Sequence, residues 1–152
     1  ATLVFTPEQA LLAAKAGAEY VSPFAGRIDD RIWRAAGMTF DKKDYFPMNG
    51  VSGDENGEAL TDYGLVSGVE LVARVVEMFE EYEIECEVIA ASLRNAIQVR
   101  ECAAVGADIA TIPFDILKSM IMHPGTADGI DAFTGDLVKE YTDLFVTDAG
   151  EK

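Results

Sequence analysis

The chain has 152 residues, 49% of them hydrophobic and 26% charged, enough apolar matter for one globular domain with a substantial core. Its 27 acidic against 12 basic residues give a formal net charge of -15, which repels nucleic acid and anionic membrane surfaces, so a phosphate-bearing ligand requires a local cluster of cations. No stretch approaches the roughly 20 apolar residues of a membrane-spanning helix, and the N-terminal ATLVFTPEQ lacks the basic region of a signal peptide.

In chain order, Thr2 to Phe5 is a short β-branched and aromatic run that reads as a strand. Thr6-Pro7-Glu8-Gln9 is a helix start, with Thr6 as N-cap, Pro7 at the first helical position and Gln9 closing a capping box. That helix is expected over 7–15, with Gly17 ending it. Glu19 to Ser22 is a second strand, and a strand, short helix, strand succession implies a parallel crossover. After Arg27, Asp29 to Ala36 holds a helical turn anchored by Trp33, and residues 38–63 read as a turn-rich, acidic surface excursion.

Ser67 caps a helix over 68–82 whose apolar face carries Val69, Val72, Val76 and Phe79. Residues 87–91 form a third strand ending in Ser92-Leu93-Arg94-Asn95. A helix over 96–105, a fourth strand over 108–112, a helix over 114–122 and a final helix over 127–145 complete the chain. Cys86 and Cys102 have no CxxC spacing and read as buried reduced thiols of a cytoplasmic protein.

Near-continuously apolar strands alternating with helices define an α/β protein with a parallel sheet. No GxGxxG or GxxxxGK[ST] loop announces a doubly wound nucleotide-binding sheet. A (β/α)8 barrel needs none and collects its site at the C-terminal ends of its strands. Thr6, Ser22 to Arg27, Ser92, Arg94 and Thr111 follow that rule, and four of eight strand–helix units are present. Arg27 and Arg94, with Ser92 between them, either converge on one phosphate through bidentate hydrogen bonds or pair with carboxylates such as Asp29 and Asp30. Amides near Asn95 would add to a phosphate site. His123 lies after a helix, away from the rims, and Asp41, Asp44, Asp54 and Glu55 lack the spacing of a metal site.

The runs TLVF-x-PEQALLAAKAGAEYVSPFAGRIDD, VIAASLRN and ADIATIPFDILK resemble the C-terminal half of a transaldolase, within the transaldolase and fructose-6-phosphate aldolase superfamily. The resemblance implies a (β/α)8 barrel of which this chain covers strands 5 to 8 and the C-terminal helix. It implies transfer of a dihydroxyacetone unit between sugar phosphates through a lysine Schiff base, with no cofactor and no metal. By motif, Thr2 matches a catalytic threonine that holds water, Ser22 and Phe24 match substrate contacts, and Arg27, Ser92 and Arg94 match the phosphate-binding set. Phe24 stands where the aldolases carry tyrosine, which favours transfer over aldol cleavage. Asp41 to Tyr45 resembles a segment of the longer transaldolases.

The Schiff-base lysine of that family falls upstream of Ala1, and none of the six lysines here falls at a strand end. The expectation is therefore a chain that completes its site with an N-terminal half-barrel or by self-association. The alternatives are an aldolase-type lyase and a non-catalytic half-barrel that binds sugar phosphate.

Overall fold

The computed structural model describes residues 1–53 and 58–136. Within them lie three strands, β1 (Tyr20–Val21), β2 (Glu87–Ala90) and β3 (Ile109–Ala110), and six helices. The helices are α1 (Pro7–Lys15), α2 (Ala25–Ala35), α3 (Gly68–Glu81), α4 (Ala96–Ala104), α5 (Phe114–Met120) and α6 (Pro124–Gly135). The strands form one sheet in the order β1-β2-β3, parallel throughout, with Tyr20 opposite Glu87 and Ile89 opposite Ile109. The α/β class with a parallel sheet follows directly. No helix among the described residues is long and apolar enough to cross a membrane.

Three helices begin with one device. Thr6, Ser67 and Asn95 each accept the amide of the residue three positions on, and the side chain at that position reaches back. Gln9 takes the Phe5 amide at 2.8 Å, Glu70 the Val66 amide at 2.7 Å and Gln98 the Arg94 amide at 2.8 Å. One orphan helix donor and the amide just before the cap are satisfied at each start, so these helices begin where the sequence places them. The first predicted strand is reduced to a single parallel bridge between Val4 and Pro23. Leu3 takes a φ of 59°, a left-handed conformation that breaks an extended run. The helix expected from Asp29 instead starts at Ala25, capped by Phe24 with no side-chain hydrogen bond.

The chain divides into two compact units, Ala1–Leu117 and Lys118 onward. In the first, α3 packs against α1, α2, α4 and β2. It buries Leu71 and Val75 as well as the expected Val69, Val72, Val76 and Phe79, because it meets partners on two sides. Residues 38–53 and 58–66 are mostly exposed but pinned by Phe46 and Leu65, which join the core, and Trp33 stacks on Phe40 at 4.7 Å and meets Phe46 edge-on at 5.0 Å. Cys86 and Cys102 are buried free thiols, and burial pushes Cys102 up to about 12. In the second unit, α6 begins at Pro124, with the His123 Nδ1 accepting the Gly125 amide at 3.0 Å. The remainder of the helix expected to 145, residues 137–145, lies outside the described residues, as do Asp54 and Glu55.

Asp29 joins three of these helices. Its carboxylate is 4% exposed, accepts the Gly68 amide at the start of α3 at 2.7 Å, and accepts the Gln98 Nε2 of α4 at 2.6 Å. Gly68 is required there: an added Cβ would overlap the Ala25 backbone. Burial outweighs the two donors and raises the carboxyl to about 7. The folded state thus keeps a proton up to about pH 7 that the unfolded chain releases near 3.8. Across that window the unfolded state binds fewer protons, so stability falls as pH rises. Urea midpoints of the native chain relative to Asp29→Asn are expected to decline from pH 4 to pH 7; a difference that stays constant or grows contradicts this account.

Candidate phosphate-binding cleft

At the C-terminal ends of β1 and β2 lies a cleft of about 580 Å³ lined by Phe5, Phe24, Arg27, Asp30, Arg31, Arg34, Lys42, Ser92 and Arg94. Two segments build it. Phe24 pairs with Ala91 in a parallel bridge, which sets the start of α2 beside the Ser92–Arg94 turn. Arg27, Arg31 and Arg34 then recur at i, i+4 and i+7 on α2, one helix face.

Arg94 is the most constrained cation. Its guanidinium lies 3.0 Å from Asp30, a carboxylate with an 8% exposed side chain, and its amide donates to Gln98 Oε1. Its Nε is buried with no hydrogen-bond partner among the described residues. The side chain crosses the first turn of α2 at Gly26, where a Cβ would overlap the Ser92 carbonyl oxygen and lie 2.6 Å from Arg94 Nε and 2.7 Å from its Cγ. Ser92 itself adopts a left-handed φ of 62°, a conformation that costs a non-glycine residue roughly 1–2 kcal/mol and that gathers at functional sites.

Arg27 is exposed and stacks over Phe24, 5.1 Å from the ring centroid, and Phe24 meets Phe5 at 6.1 Å. Arg31 is held by Asp62 through two contacts of 2.7 and 2.8 Å, a bidentate pair. Arg34 reaches the same Asp30 oxygen as Arg94, at 4.0 Å. Lys42 enters from the excursion, which is tied down over the three residues that follow it. Asn95 Nδ2 donates to the Lys43 and Asp44 carbonyls at 3.3 Å, Lys43 pairs with Asp115 at 2.6 Å, and the Tyr45 hydroxyl donates to Glu101 at 2.7 Å.

Of the six residues singled out from sequence, Phe24, Arg27, Ser92 and Arg94 come together. Thr2 and Ser22 do not line the cleft: Thr2 is exposed outside any strand, and Ser22 precedes the bridge at Pro23. The alternative of pairing with local carboxylates is realised for Arg94, at Asp30, and not for Arg27. Asp29 serves the helix starts and Asp30 serves Arg94 and Arg34. The amides near Asn95 are in part committed, Arg94 N–H to Gln98 Oε1 and Gln98 N–H to Asn95 Oδ1. Gly26, Arg31, Arg34 and Lys42 have no part in the phosphate site as read from sequence, and Asp30 enters it only as a carboxylate that could pair with an arginine. The three arginines at helical spacing carry a readable signal once α2 is started at Ala25.

A basic cleft at the C-terminal ends of parallel strands, in a chain of net charge -15, suits a phosphorylated ligand. The chain belongs to the transaldolase/fructose-6-phosphate aldolase family, whose model matches residues 1–149. It is 42% identical over 138 residues to a probable transaldolase of Desulfosudis oleivorans, covering 91% of this chain and 49% of that protein. It is 44% identical over 135 residues to a probable transaldolase of Methanococcus maripaludis, covering 89% and 47% respectively. The chain spans about half the length of the curated relatives it matches. Among solved structures, a mandelate oxidase aligns at a TM-score of 0.38 and 20% identity over 73% of this chain and 25% of that one, a likeness too slight to carry an argument.

Gly26→Ala separates two effects. Alanine favours helix by about 1 kcal/mol over glycine, but here its methyl meets the Ser92–Arg94 turn. Thermal unfolding is expected at a lower temperature for Gly26→Ala than for the native chain, and a rise would contradict the close approach.

Proposed function

We propose that this chain supplies the phosphate grip and substrate contacts of a transaldolase, which moves a dihydroxyacetone unit between sugar phosphates through a Schiff base. In this reading it is the C-terminal half of a (β/α)8 barrel. Arg27, Ser92 and Arg94 hold the phosphate, Phe24 and Ser22 contact the sugar, and Thr2 helps hold the catalytic water. The nucleophilic lysine belongs to polypeptide outside these 152 residues, which contributes the other half of the site.

The observation that carries the reading is Arg94, fixed by Asp30 and seated against Gly26 within a cationic cleft that also contains Arg27 and Ser92. A guanidinium held by its partners before the ligand arrives loses little entropy on gripping a phosphate, and its planar fork matches two phosphate oxygens. The described lysines support an outside nucleophile. Lys15 ends α1, Lys43 is paired with Asp115, Lys118 lies on α5, and Lys42 stands on the excursion rather than on a strand. Phe24 favours transfer over aldol cleavage, since a phenyl ring has no hydroxyl to move a proton or order a water.

Two measurements test this. Borohydride reduction of the full-length enzyme with fructose 6-phosphate is expected to leave Lys15, Lys42, Lys43, Lys118, Lys139 and Lys152 unmodified and to place the adduct on a lysine elsewhere; an adduct on any of the six overturns it. Arg94→Lys keeps the charge and loses the fork, so kcat/KM for a phosphorylated ketose is expected to fall about 10- to 100-fold, with the unphosphorylated ketose little changed. Equal losses on both would remove Arg94 from phosphate binding.

A further inference from the structure

The cleft carries more positive charge than one phosphate group needs. With Arg31 neutralised by Asp62, four cations remain, Arg27, Arg34, Arg94 and Lys42, against one lining carboxylate, Asp30, a surplus of three. A phosphate monoester at pH 7 brings only about -1.5 to -2. Neither Arg27 nor Lys42 has an ion pair among the described residues. Arg34 and Arg94 reach the same Asp30 oxygen, at 4.0 and 3.0 Å, so the two contacting nitrogens are no more than 7 Å apart. That separation lets two adjacent phosphate groups each meet a guanidinium.

We propose that the cleft takes a small molecule with two neighbouring phosphate groups, a diphosphate, the first held by Arg27, Ser92 and Arg94 and the second by Arg34 and Lys42. The inference rests on the phosphate site proposed above and extends it along the exposed face of α2. Arg34 reaches the cleft from the last turn of α2, and Lys42 is presented by a segment fixed on α4 and α5 through Asn95 and Asp115. Both cations are therefore carried by anchored backbone.

Inorganic pyrophosphate and orthophosphate are the probes, titrated calorimetrically into the full-length protein at one fixed ionic strength. Each of the two added cations near the second phosphate is worth about fivefold, so pyrophosphate is expected to bind about 25-fold more tightly than orthophosphate. The double variant Arg34→Met, Lys42→Met is expected to weaken pyrophosphate more than orthophosphate and so to reduce that ratio below about fivefold, with a native circular dichroism spectrum reporting an intact fold. Lys15→Met, at the far end of α1, is expected to leave the ratio unchanged. A ratio near one in the native protein, or a ratio that survives the double variant, overturns the second subsite and leaves the first standing. Failure of the native protein to bind either anion overturns both.

Discussion

A buried carboxylate sets the geometry on which the rest depends. Asp29 sits inside the protein because α2, α3 and α4 all need it. It accepts the first amide of α3 and the Gln98 side chain of α4 from a position on α2. Each contact would otherwise leave a buried donor unpaired, at roughly 1–3 kcal/mol. Gln98 then passes the constraint on through its other end, to the Arg94 amide. The neighbouring residue Asp30 turns toward the rim and holds the Arg94 guanidinium. Two adjacent acids on one helix thus do separate things, one locking the packing of three helices and the other aiming a cation.

Charge is sorted along the strand direction. At the N-terminal ends of the strands a cleft of about 770 Å³ is lined by Glu19, Glu80, Glu83, Glu85, Glu87 and Asp108. The opposite end carries the arginines of α2 and Arg94. A chain that repels anions over most of its surface therefore gathers its positive charge at one end of its sheet, where a focused field favours anion capture over a uniform one. Cation placement follows from helix period and the approach allowed by Gly26, so the electrostatic site is a product of the same packing that builds the core.

Sequence revealed what local chemistry controls. Helices α1, α3 and α4 begin at the expected residues because Thr6, Ser67 and Asn95 each have a side-chain oxygen and a Gln or Glu three positions on. Helix α2 was placed four residues late because its cap, Phe24, has no such oxygen and Gly26 reads as loop. That displacement hid the common face of Arg27, Arg31 and Arg34. The first strand failed at Leu3, whose left-handed backbone leaves no mark in an apolar run. Arg27, Ser92 and Arg94 are legible by motif, and Asp29 and Asp30 as acids that could pair with an arginine, whereas which partner each acid takes is not. Asp29 reaches residues 39 and 69 positions away and Asp30 one 64 positions away, distances over which one sequence offers no pairing signal.

In the function proposed above, Arg94, positioned by Asp30 and Gly26, grips a phosphate together with Arg27 and Ser92. A crystal structure of the full-length protein with a bound sugar phosphate tests it most directly. Phosphate oxygens are expected within hydrogen-bonding distance of the Ser92 hydroxyl and of both guanidiniums, with the sugar running toward Phe24. A phosphate bound elsewhere, with Arg94 contacting only Asp30, would contradict it.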